Sequence, residues 1–313
     1  MAGIAVNSPD QRAFDVLGLG GTAVDEIVYV DAYPPADMKI LVRRRQRNLG
    51  GLASIALIAA ARLGCKTAYA GVLGSDEFSE FVISSLQQEG VDLNFLVRHD
   101  EARPILSTII VGSNPSTRNI FFELNDYCGA DSQRPDASII RAARVLLVDH
   151  LGLEGMLRAA KIAHEAKIPI VSDLELAMSP YFHDLLALID HLVMSGEFAT
   201  QLTGESEPAA MVEKLWTPVR KVVVVTCGAE GAWYMVGDGK VQHQPAFKVN
   251  AVDTTGCGDV FHGAYAACLA RGLDVAERIR FASAAAALKA TQSGGVRSVP
   301  LQAAVEAFLQ KNA

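Results

Sequence analysis

The sequence lacks the features of several classes of protein. Its 313 residues include 28 lysines and arginines against 35 aspartates and glutamates, which gives a net charge of −7. Surfaces that bind nucleic acid or acidic membranes carry a basic excess, so we expect neither partner. No apolar run approaches the roughly 20 residues of a membrane-spanning helix. The first thirteen residues are too polar for the core of a signal peptide.

Paired cysteines and a Walker A loop are also missing. The five cysteines are odd in number, scattered, and never spaced as Cys-x-x-Cys. This usage favours reduced thiols in a cytoplasmic protein over a disulfide framework or a zinc site. No Gly-Lys-Ser or Gly-Lys-Thr occurs in the chain. A bound nucleotide would therefore have to be held without a Walker A loop.

Apolar runs rich in β-branched residues alternate with segments of helical periodicity. This alternation is typical of a mostly parallel sheet covered by helices on both faces. The predicted strands are Phe14–Gly20, Lys66–Val72, Val145–Asp149, Pro169–Asp173, His191–Met194 and Lys221–Thr226. The predicted helices are Leu52–Leu63, Asp76–Glu89, Gly155–Ala166, Glu207–Trp216, Gly258–Arg271, Ala276–Ala290 and Leu301–Gln310. We expect a single α/β domain over residues 1–313.

Two regions, at about 26–47 and 104–123, depart from this alternation. Within them Glu26–Asp31, Lys39–Arg47, Pro104–Val111 and Arg118–Glu123 alternate polar and apolar residues. Such alternation is typical of exposed antiparallel strands. We therefore expect a small inserted sheet that stands off the core.

Arginines concentrate in the first of these regions. Arg43, Arg45 and Arg47 share one face of a predicted strand, Arg44 lies on the other, and Arg118 begins a neighbouring strand. Guanidinium groups match the geometry of phosphate, sulfonate and carboxylate, which would suit an anionic substrate. Charges along an edge strand also prevent aggregation between sheets. Both interpretations remain open.

The most informative stretch runs from Asp253 to Gly263 and contains Gly-Cys-Gly-Asp before an apolar helix. Its glycines allow successive backbone N–H groups to point at one spot, beside the positive end of a helix dipole. An anion fits there. A carboxylate at Asp259 would repel that anion, so we interpret it as a base that deprotonates an attacking hydroxyl while the amides hold a phosphoryl group.

This stretch resembles the C-terminal signature of the ribokinase-like (PfkB) carbohydrate kinases. Three further blocks are similar to family motifs and follow in the same order: Gly50-Gly51 with Ala59–Gly64, Thr226–Gly231, and Phe281–Leu288. The resemblance implies a mostly parallel sheet flanked by helices, with a small inserted β-sheet as a lid over the sugar. It also implies that the lid serves as a homodimer surface.

The resemblance further implies roles for individual residues and implies ATP, Mg²⁺ and K⁺ as cofactors. In the phosphoryl-transfer site the residues with an implied role are Asp259, as the base, and Gly256, Cys257 and Gly258, through their backbone amides. For the sugar they are Asp25, Gly50, Gly51 and Ser54. For the nucleotide they are Thr226, Gly228, Gly231 and Ser283. For the metals they are Glu197, acting on Mg²⁺ through water, and Asp253, Thr255, Ala290 and Gly295 around K⁺.

Three positions depart from the family pattern. Ile55 stands where the family usually carries a substrate-binding Asn, so Ser54 supplies a weaker contact or the substrate differs. The stretch Met194–Glu197 replaces Asn-x-x-Glu, and Glu197 is equally explained as a first-turn acid that suits the helix dipole. Cys257 replaces an alanine. A thiol at a helix start can be oxidisable, but packing is the commoner role of a free cysteine.

We therefore expect an ATP-dependent sugar kinase that acts on a hydroxymethyl group of a furanose-like sugar or ketose. The lead-in to the final motif looks closest to the fructokinase-like and sulfofructose-kinase-like branches. One alternative is a nucleoside kinase of the same fold, with Phe121, Phe122 and Tyr127 as a shelf for the base. Another is a non-catalytic sensor, which would have no need of Asp259. The pattern Gly18–Ala23 also matches a dinucleotide fingerprint, but no helix is predicted to follow it directly.

Overall fold

Strands of two to nine residues and helices of five to sixteen residues form three sheets, one of them only the short pair β5-β6, and two helical layers. The computed structural model describes residues 12–113, 116–125, 128–177, 180–237 and 239–312. Its strands are β1 Phe14–Gly18, β2 Ala23–Val30, β3 Arg44–Gly50, β4 Thr67–Tyr69, β5 Val72–Leu73, β6 Val97–Arg98, β7 Ile105–Ser113, β8 Ser116–Glu123, β9 Ala143–Asp149, β10 Ile170–Asp173, β11 His191–Ser195, β12 Val222–Thr226, β13 Ala232–Val236 and β14 Val241–Gln244. Its helices are α1 Leu52–Arg62, α2 Glu77–Gln88, α3 Ala137–Arg141, α4 Leu153–Glu165, α5 Phe182–Leu188, α6 Gly196–Thr203, α7 Pro208–Leu215, α8 Cys257–Ala270, α9 Val275–Ala290 and α10 Gln302–Lys311.

The main sheet has eight strands in the order β14-β13-β12-β11-β10-β9-β1-β4. Every pair from β12 to β4 is parallel, and only β13 and β14 run antiparallel to their neighbours. Both faces are covered, because one buried cluster packs α1, α8 and α9 and the other packs α4 to α7. The predicted fold class is confirmed.

The predicted elements of the core are present with small shifts at their ends, except that the predicted strand Lys66–Val72 divides into β4 and β5, which belong to different sheets. The β13–β14 hairpin and the short helices α3, α5 and α6 were not predicted. Each of these helices has eight residues or fewer, too few for a clear apolar period.

A second sheet of four strands, in the order β3-β2-β7-β8, covers the carboxyl edge of the main sheet; we call it the lid. The prediction of antiparallel strands holds for β2–β3 and β7–β8. It is wrong at the centre, where β2 and β7 are parallel. Between the two hairpins the chain returns to the main domain through α1, β4 and α2, and β7 then pairs with β2 in the same direction. Strand β3 also begins at Arg44 and continues to Gly50, later than predicted.

The glycines at 20 and 21 serve packing rather than a dinucleotide. The chain passes from β1 through Gly20 and Gly21 directly into β2, with no helix at this point. A Cβ atom on Gly20 would lie 1.9 Å from the carboxylate of Asp149, and one on Gly21 would lie 2.1 Å from Leu151. Asp149 accepts hydrogen bonds from the amides of Gly21 at 2.6 Å and Leu151 at 2.8 Å.

Candidate active site

The segment from Asp253 to Gly258, which we call the anion loop, leads into helix α8. Gly256 caps this helix in the left-handed conformation at φ 76°, which favours glycine. The first-turn amides of a helix have no intrahelical partner and carry the positive end of its dipole. The Cys257 amide donates to the Thr254 carbonyl at 3.2 Å. The amides of Gly256 and Gly258 are therefore the better placed of the three predicted donors.

The anion loop separates two cavities. One cavity, of about 530 Å³, lies under the lid and is lined by Asp25, Gly50, Gly51, Thr255, Gly256 and Asp259. The other, of about 620 Å³, lies between β12, α8 and α9 and is lined by Thr226, Gly228, Gly231, Cys257, Gly258 and Ser283. Thr254 contributes to both. A group held by the loop amides is thus within reach of either cavity.

Asp259 lies in the first turn of α8, half-buried at the floor of the lid cavity. Burial raises the pKa of its carboxyl group well above the ordinary value. The negative charges of Asp173, Glu175 and Asp25 raise the pKa further, and Lys289 opposes them. A carboxylate held this way gains a proton readily, which suits a general base.

Asp25, on β2, faces the same cavity from the lid. Burial raises its pKa, while a hydrogen bond from Ser107 and the charge of Arg118 lower it. Gly50 pairs near it on β3, and a Cβ atom at Gly50 would lie 2.4 Å from the Asp25 carboxylate. Gly51, at φ 97°, has the Thr22 and Ala23 backbone where a Cβ would stand, 2.6 Å away. The two glycines therefore make room for Asp25 and for the turn into α1.

Ser54 does not reach the cavity, which corrects its predicted role. Its side chain is fully buried, and its hydroxyl donates to the carbonyls of Gly50 and, at 3.0 Å, Gly51. Such bonding of a hydroxyl to a preceding helical carbonyl satisfies the donor internally. Ile55 lines the cavity in its place, so the cavity wall is apolar where the family pattern has an amide.

The four predicted nucleotide-side residues are brought together. Thr226 ends β12, Gly228 lies in a short 3-10 turn, Gly231 follows that turn at φ 99°, and Ser283 faces them from α9. Apolar lining completes this cavity, chiefly Phe247, Val249, Phe261, Ala286 and Ala287. The space suits a planar, mostly apolar ring with polar groups at one end.

Acidic residues that sequence reasoning missed lie near Asp259. Asp173 ends β10 and Glu175 follows it, and burial raises the pKa of both carboxyl groups. Asp173 is 3.2 Å from His262, a buried residue of α8 whose ring also contacts the carbonyls of Gly258 at 2.8 Å and Val193 at 3.2 Å. These contacts fix the start of α8 against the main sheet. An acidic pair at the carboxyl end of a predicted parallel strand was the available signal.

Glu197 lies apart from the anion loop, in the first turn of α6. It is exposed and borders a depression that it shares with Ser195, Thr226 and Gly228 of the nucleotide side. Its charge raises the pKa of Glu175, so the two carboxylates are close enough to repel. Within the described residues, no group of three or more acids, histidines and cysteines could hold a metal ion unaided. Mg²⁺ fits better when phosphate and water supply most of its ligands.

The lid arginines fall into two groups. Arg43 bonds to Asp31 at 2.5 Å, and Arg47 bonds to Glu26 at 2.5 Å, both as partly or fully exposed pairs. Arg44 stacks over Tyr29 at 4.0 Å. Arg118 differs, because it lines the lid cavity and contacts the Thr255 hydroxyl. Edge chemistry accounts for the first group, and only Arg118 is placed to meet a ligand beside the anion loop.

Two of the three residues of the predicted aromatic shelf stand away from the lid cavity. Phe121 and Phe122 are about half exposed on β8, and neither lines the lid cavity. Tyr127 and the N-terminal segment 1–11 lie outside the described residues.

Burial raises the pKa of the Cys257 thiol to about 11, which favours the packing interpretation of that residue. Among the residues that the structure describes, no helix is both long and apolar enough to cross a membrane.

Comparison with known proteins agrees with this geometry. Residues 16–302 match the family model described as pfkB family carbohydrate kinase. The chain is 32% identical to fructokinase-1 of Oryza sativa subsp. japonica, over 82% of this chain and 86% of that protein. It is 28% identical to ribokinase of Bacillus subtilis, over 93% and 98%. The crystal structure of a putative ribokinase from Agrobacterium tumefaciens superposes with a TM-score of 0.88 at 29% identity, covering 96% of this chain and 98% of that one.

Proposed function

The chain belongs to the pfkB family of carbohydrate kinases, and from this premise we propose that it transfers the γ-phosphoryl group of ATP to a hydroxymethyl group of a furanose-like sugar or ketose. One observation carries the proposal. Asp259, the amides of Gly256 and Gly258, and the sugar-facing Asp25 converge where a cavity under the lid meets a cavity beside α9. That is the arrangement an in-line transfer between two bound substrates requires.

The proposed reaction begins with the sugar under the lid. Asp25 accepts hydrogen bonds from its hydroxyl groups, since a buried carboxylate can accept from two neighbouring hydroxyls. Asp259 takes the proton of the attacking hydroxyl. A bond forms between that oxygen and the γ-phosphorus as the bond to the leaving oxygen of ADP breaks. The amides of Gly256 and Gly258 stabilise the negative charge on the phosphoryl oxygens during the transfer.

The nucleotide occupies the second cavity, with its base between Phe247 and the alanines of α9. Glu197 and Glu175 are the residues that would hold Mg²⁺ through water, and the position of Glu197 beside Thr226 and Gly228 of the nucleotide side supports a cation there. Mg²⁺, when bound, neutralises charge on the phosphates. We do not extend the proposal to K⁺, because the Lys289 ammonium already contacts Asp253.

Two other functions have less support. A nucleoside kinase needs a stacking surface in the lid cavity, and neither Phe121 nor Phe122 supplies one. A non-catalytic sensor would not need a carboxylate beside an anion site, and Asp259 places one there. A substrate with a negative group is supported by Arg118, whose guanidinium faces the cavity.

We also propose that two copies of the chain associate through their lids in the cytoplasm. Ile120, Phe121, Phe122 and Leu124 are all 45–56% exposed on or beside the edge strand β8. Contiguous exposed apolar side chains of this kind mark interaction surfaces. All five cysteines are free thiols, as in a reducing compartment.

A phosphorylation screen tests the function. Purified protein is incubated with ATP, Mg²⁺ and one acceptor at a time, taken from pentoses, hexoses, ketoses, ketose phosphates, sulfosugars and nucleosides, with ADP release as readout. We expect turnover with a sugar or sugar derivative and none with nucleosides. The Asp259→Asn variant is the control for contaminating kinases. Turnover of a nucleoside, or ATP binding without turnover of any sugar, would contradict the proposal.

A further inference from the structure

Helix α9 carries one lysine on its buried face. Lys289 lies four residues after Ala285, which itself lies three residues after Ala282, and this spacing places Lys289 in the stripe that packs against α8. Its side chain is only 2% exposed. Lysine is almost never fully buried unless its charge is paired, so this ammonium requires a specific partner.

That partner is the first residue of the anion loop. The Lys289 Nζ donates to the Asp253 carbonyl oxygen at 3.0 Å and lies 3.6 Å from its carboxylate Oδ2. The other carboxylate oxygen, Oδ1, accepts from the Thr255 amide at 3.0 Å. The ammonium thus grips Asp253 at two atoms, and Asp253 in turn shapes the next turn of the loop.

The same residues are those expected to surround K⁺, and their oxygens are already engaged. The Ala290 carbonyl accepts two amides, from Val252 at 2.7 Å and Asp253 at 3.1 Å, which uses both of its lone pairs. The Gly295 carbonyl accepts from the Ser298 hydroxyl at 2.7 Å. The Asp253 oxygens hold the ammonium and the Thr255 amide. A second cation at this point would meet a like charge and find few free ligands, so K⁺ does not fit the donor set.

We propose that the Lys289 ammonium is the built-in cation of the anion loop and makes a free monovalent ion unnecessary. Lys289 acts as a positioning residue through Asp253 and is not itself a catalytic group. The charge of Lys289 also acts on Cys257 and Asp259, at the end of the loop where α8 begins. Burial raises the pKa of Asp259 and of Cys257, and the positive charge of Lys289 opposes the rise at both.

Two substitutions separate the charge from the space that the side chain fills. Lys289→Ala removes the charge and leaves room for an ion beside Asp253. Lys289→Met removes the charge and keeps most of the volume. Because misplacing catalytic groups by about 1 Å can lower a rate roughly 10²-fold, we expect kcat of both variants to fall by about that factor.

Cation dependence then tests the proposal, which rests on the proposed function only where activity is the readout. KCl, NH₄Cl and tetramethylammonium chloride are compared at fixed ionic strength for the wild type and both variants. We expect the wild type to be indifferent to the cation. Lys289→Ala should recover activity with K⁺ or NH₄⁺ and not with tetramethylammonium, whereas Lys289→Met should recover with none of them.

Thermal unfolding in the same salts gives a readout that needs no turnover. We expect KCl to raise the Tm of Lys289→Ala above its value in tetramethylammonium chloride, and to leave the wild type unchanged. Activation or selective stabilisation of the wild type by K⁺ would overturn the inference, as would full activity of Lys289→Ala without K⁺. If the variants do not fold, the wild-type comparison alone decides. Absence of kinase activity would refute the proposed function and leave the melting comparison intact.

Discussion

At the scale of single residues, several carboxyl groups lie close to the anion loop, where we propose that a negatively charged phosphoryl group binds. Burial raises the pKa of Asp259, and the negative charges of Asp173, Glu175 and Asp25 raise it further. Holding such a group of acids together costs folding free energy, because desolvation and mutual repulsion both oppose ionisation. Carboxyl groups with strongly raised pKa values, which destabilise the fold in this way, are typical of functional sites.

Replacing Asp259 by asparagine removes the proposed base and keeps its shape. We expect kcat to fall by about 10²–10⁴, the usual contribution of a general base, while the dissociation constant for ATP changes little. Steady-state kinetics and nucleotide titration measure the two. Cys257→Ala, two residues away in the same helical turn, is the matched control and should keep its activity. Retention of more than a tenth of wild-type kcat by Asp259→Asn would remove this residue from the role.

The raised pKa of Asp259 predicts how activity and stability depend on pH. A base must be ionised, so kcat/KM should fall as the pH drops through the raised pKa, and Asp259→Asn should lose that dependence. The stability effect has the opposite sign. The raised pKa means that the folded state resists ionisation above the ordinary carboxyl pKa of about 4, so Asp259 destabilises at neutral pH.

Asp259→Asn should therefore melt at a higher temperature than the wild type at pH 8. The difference should shrink as the pH approaches the ordinary carboxyl value, where both states are protonated. Differential scanning calorimetry across this pH range provides the measurement. An unchanged or lower Tm at pH 8 would mean that the carboxylate has stabilising partners.

Arg118 is the lid arginine whose role depends on the substrate. A charge-assisted hydrogen bond contributes about 1.5–3 kcal/mol, so Arg118→Ala should lower kcat/KM for a phosphorylated or sulfonated sugar by roughly tenfold to a hundredfold. The loss for the neutral counterpart should be small. Arg45→Ala is the control, since Arg45 lies on the opposite face of the lid. Equal losses on both substrates would limit Arg118 to ordering the loop through Thr255.

The sequence predicted these residues unevenly. Asp259, Asp25 and the glycines around them lie in motifs whose local order is tied to their chemistry. Ser54 lies in a motif of the same kind, yet its hydroxyl donates to the carbonyls of Gly50 and Gly51 and does not face the cavity. Lys289 and Glu175 were missed because their neighbours are distant in the chain. Lys289 is buried because α9 packs with that face inward. The sequence signal for this is that Lys289 lies on the same helical face as the buried Ala282 and Ala285.

At the scale of elements, the position of α8 depends on one glycine in its middle. Gly263 faces α1, and a Cβ atom there would lie 2.1 Å from the Ala56 carbonyl oxygen. The two helices are therefore in backbone contact, close to where each begins at a ligand-facing glycine turn. The distance between the sugar-side turn at Gly51 and the anion loop is set by this contact.

Gly263→Ala should destabilise the protein although alanine is the better helix former. We expect a loss of about 1–3 kcal/mol in the free energy of unfolding, the usual cost of overpacking. Denaturant titration measures it. Gly258→Ala is the matched control in the same helix, because nothing lies within 4 Å of the added methyl group. A loss no larger than that of the control would show that the helices can separate without cost.

Element types followed from the sequence more readily than their pairing. The apolar periods of the core strands and long helices are local properties, and they predicted those elements well. The lid required knowledge of how two hairpins meet. Because β2 pairs with β7 in the same direction, the prediction of four antiparallel strands failed at the one junction where the partners are distant in the chain.

At the scale of the whole molecule, the lid presents apolar side chains to solvent on β8. We expect a dimer in analytical ultracentrifugation at micromolar concentration. Phe121→Glu with Phe122→Glu should shift the species to a monomer, because a charge in a buried apolar contact is costly. Circular dichroism checks that the variant is folded. A wild type that sediments as a monomer would refute association through the lid.

The division of the site into two cavities also bears on how such an enzyme can diversify. The walls of the lid cavity come largely from the lid and from Ile55, while those of the second cavity come from β12, α9 and the segment before the anion loop. Mutations can therefore alter one set of walls and leave the other intact. An ancestral protein could change the sugar it accepts through drift in the lid alone, with its phosphate donor preserved throughout. New acceptors would then arise without any loss of the inherited chemistry.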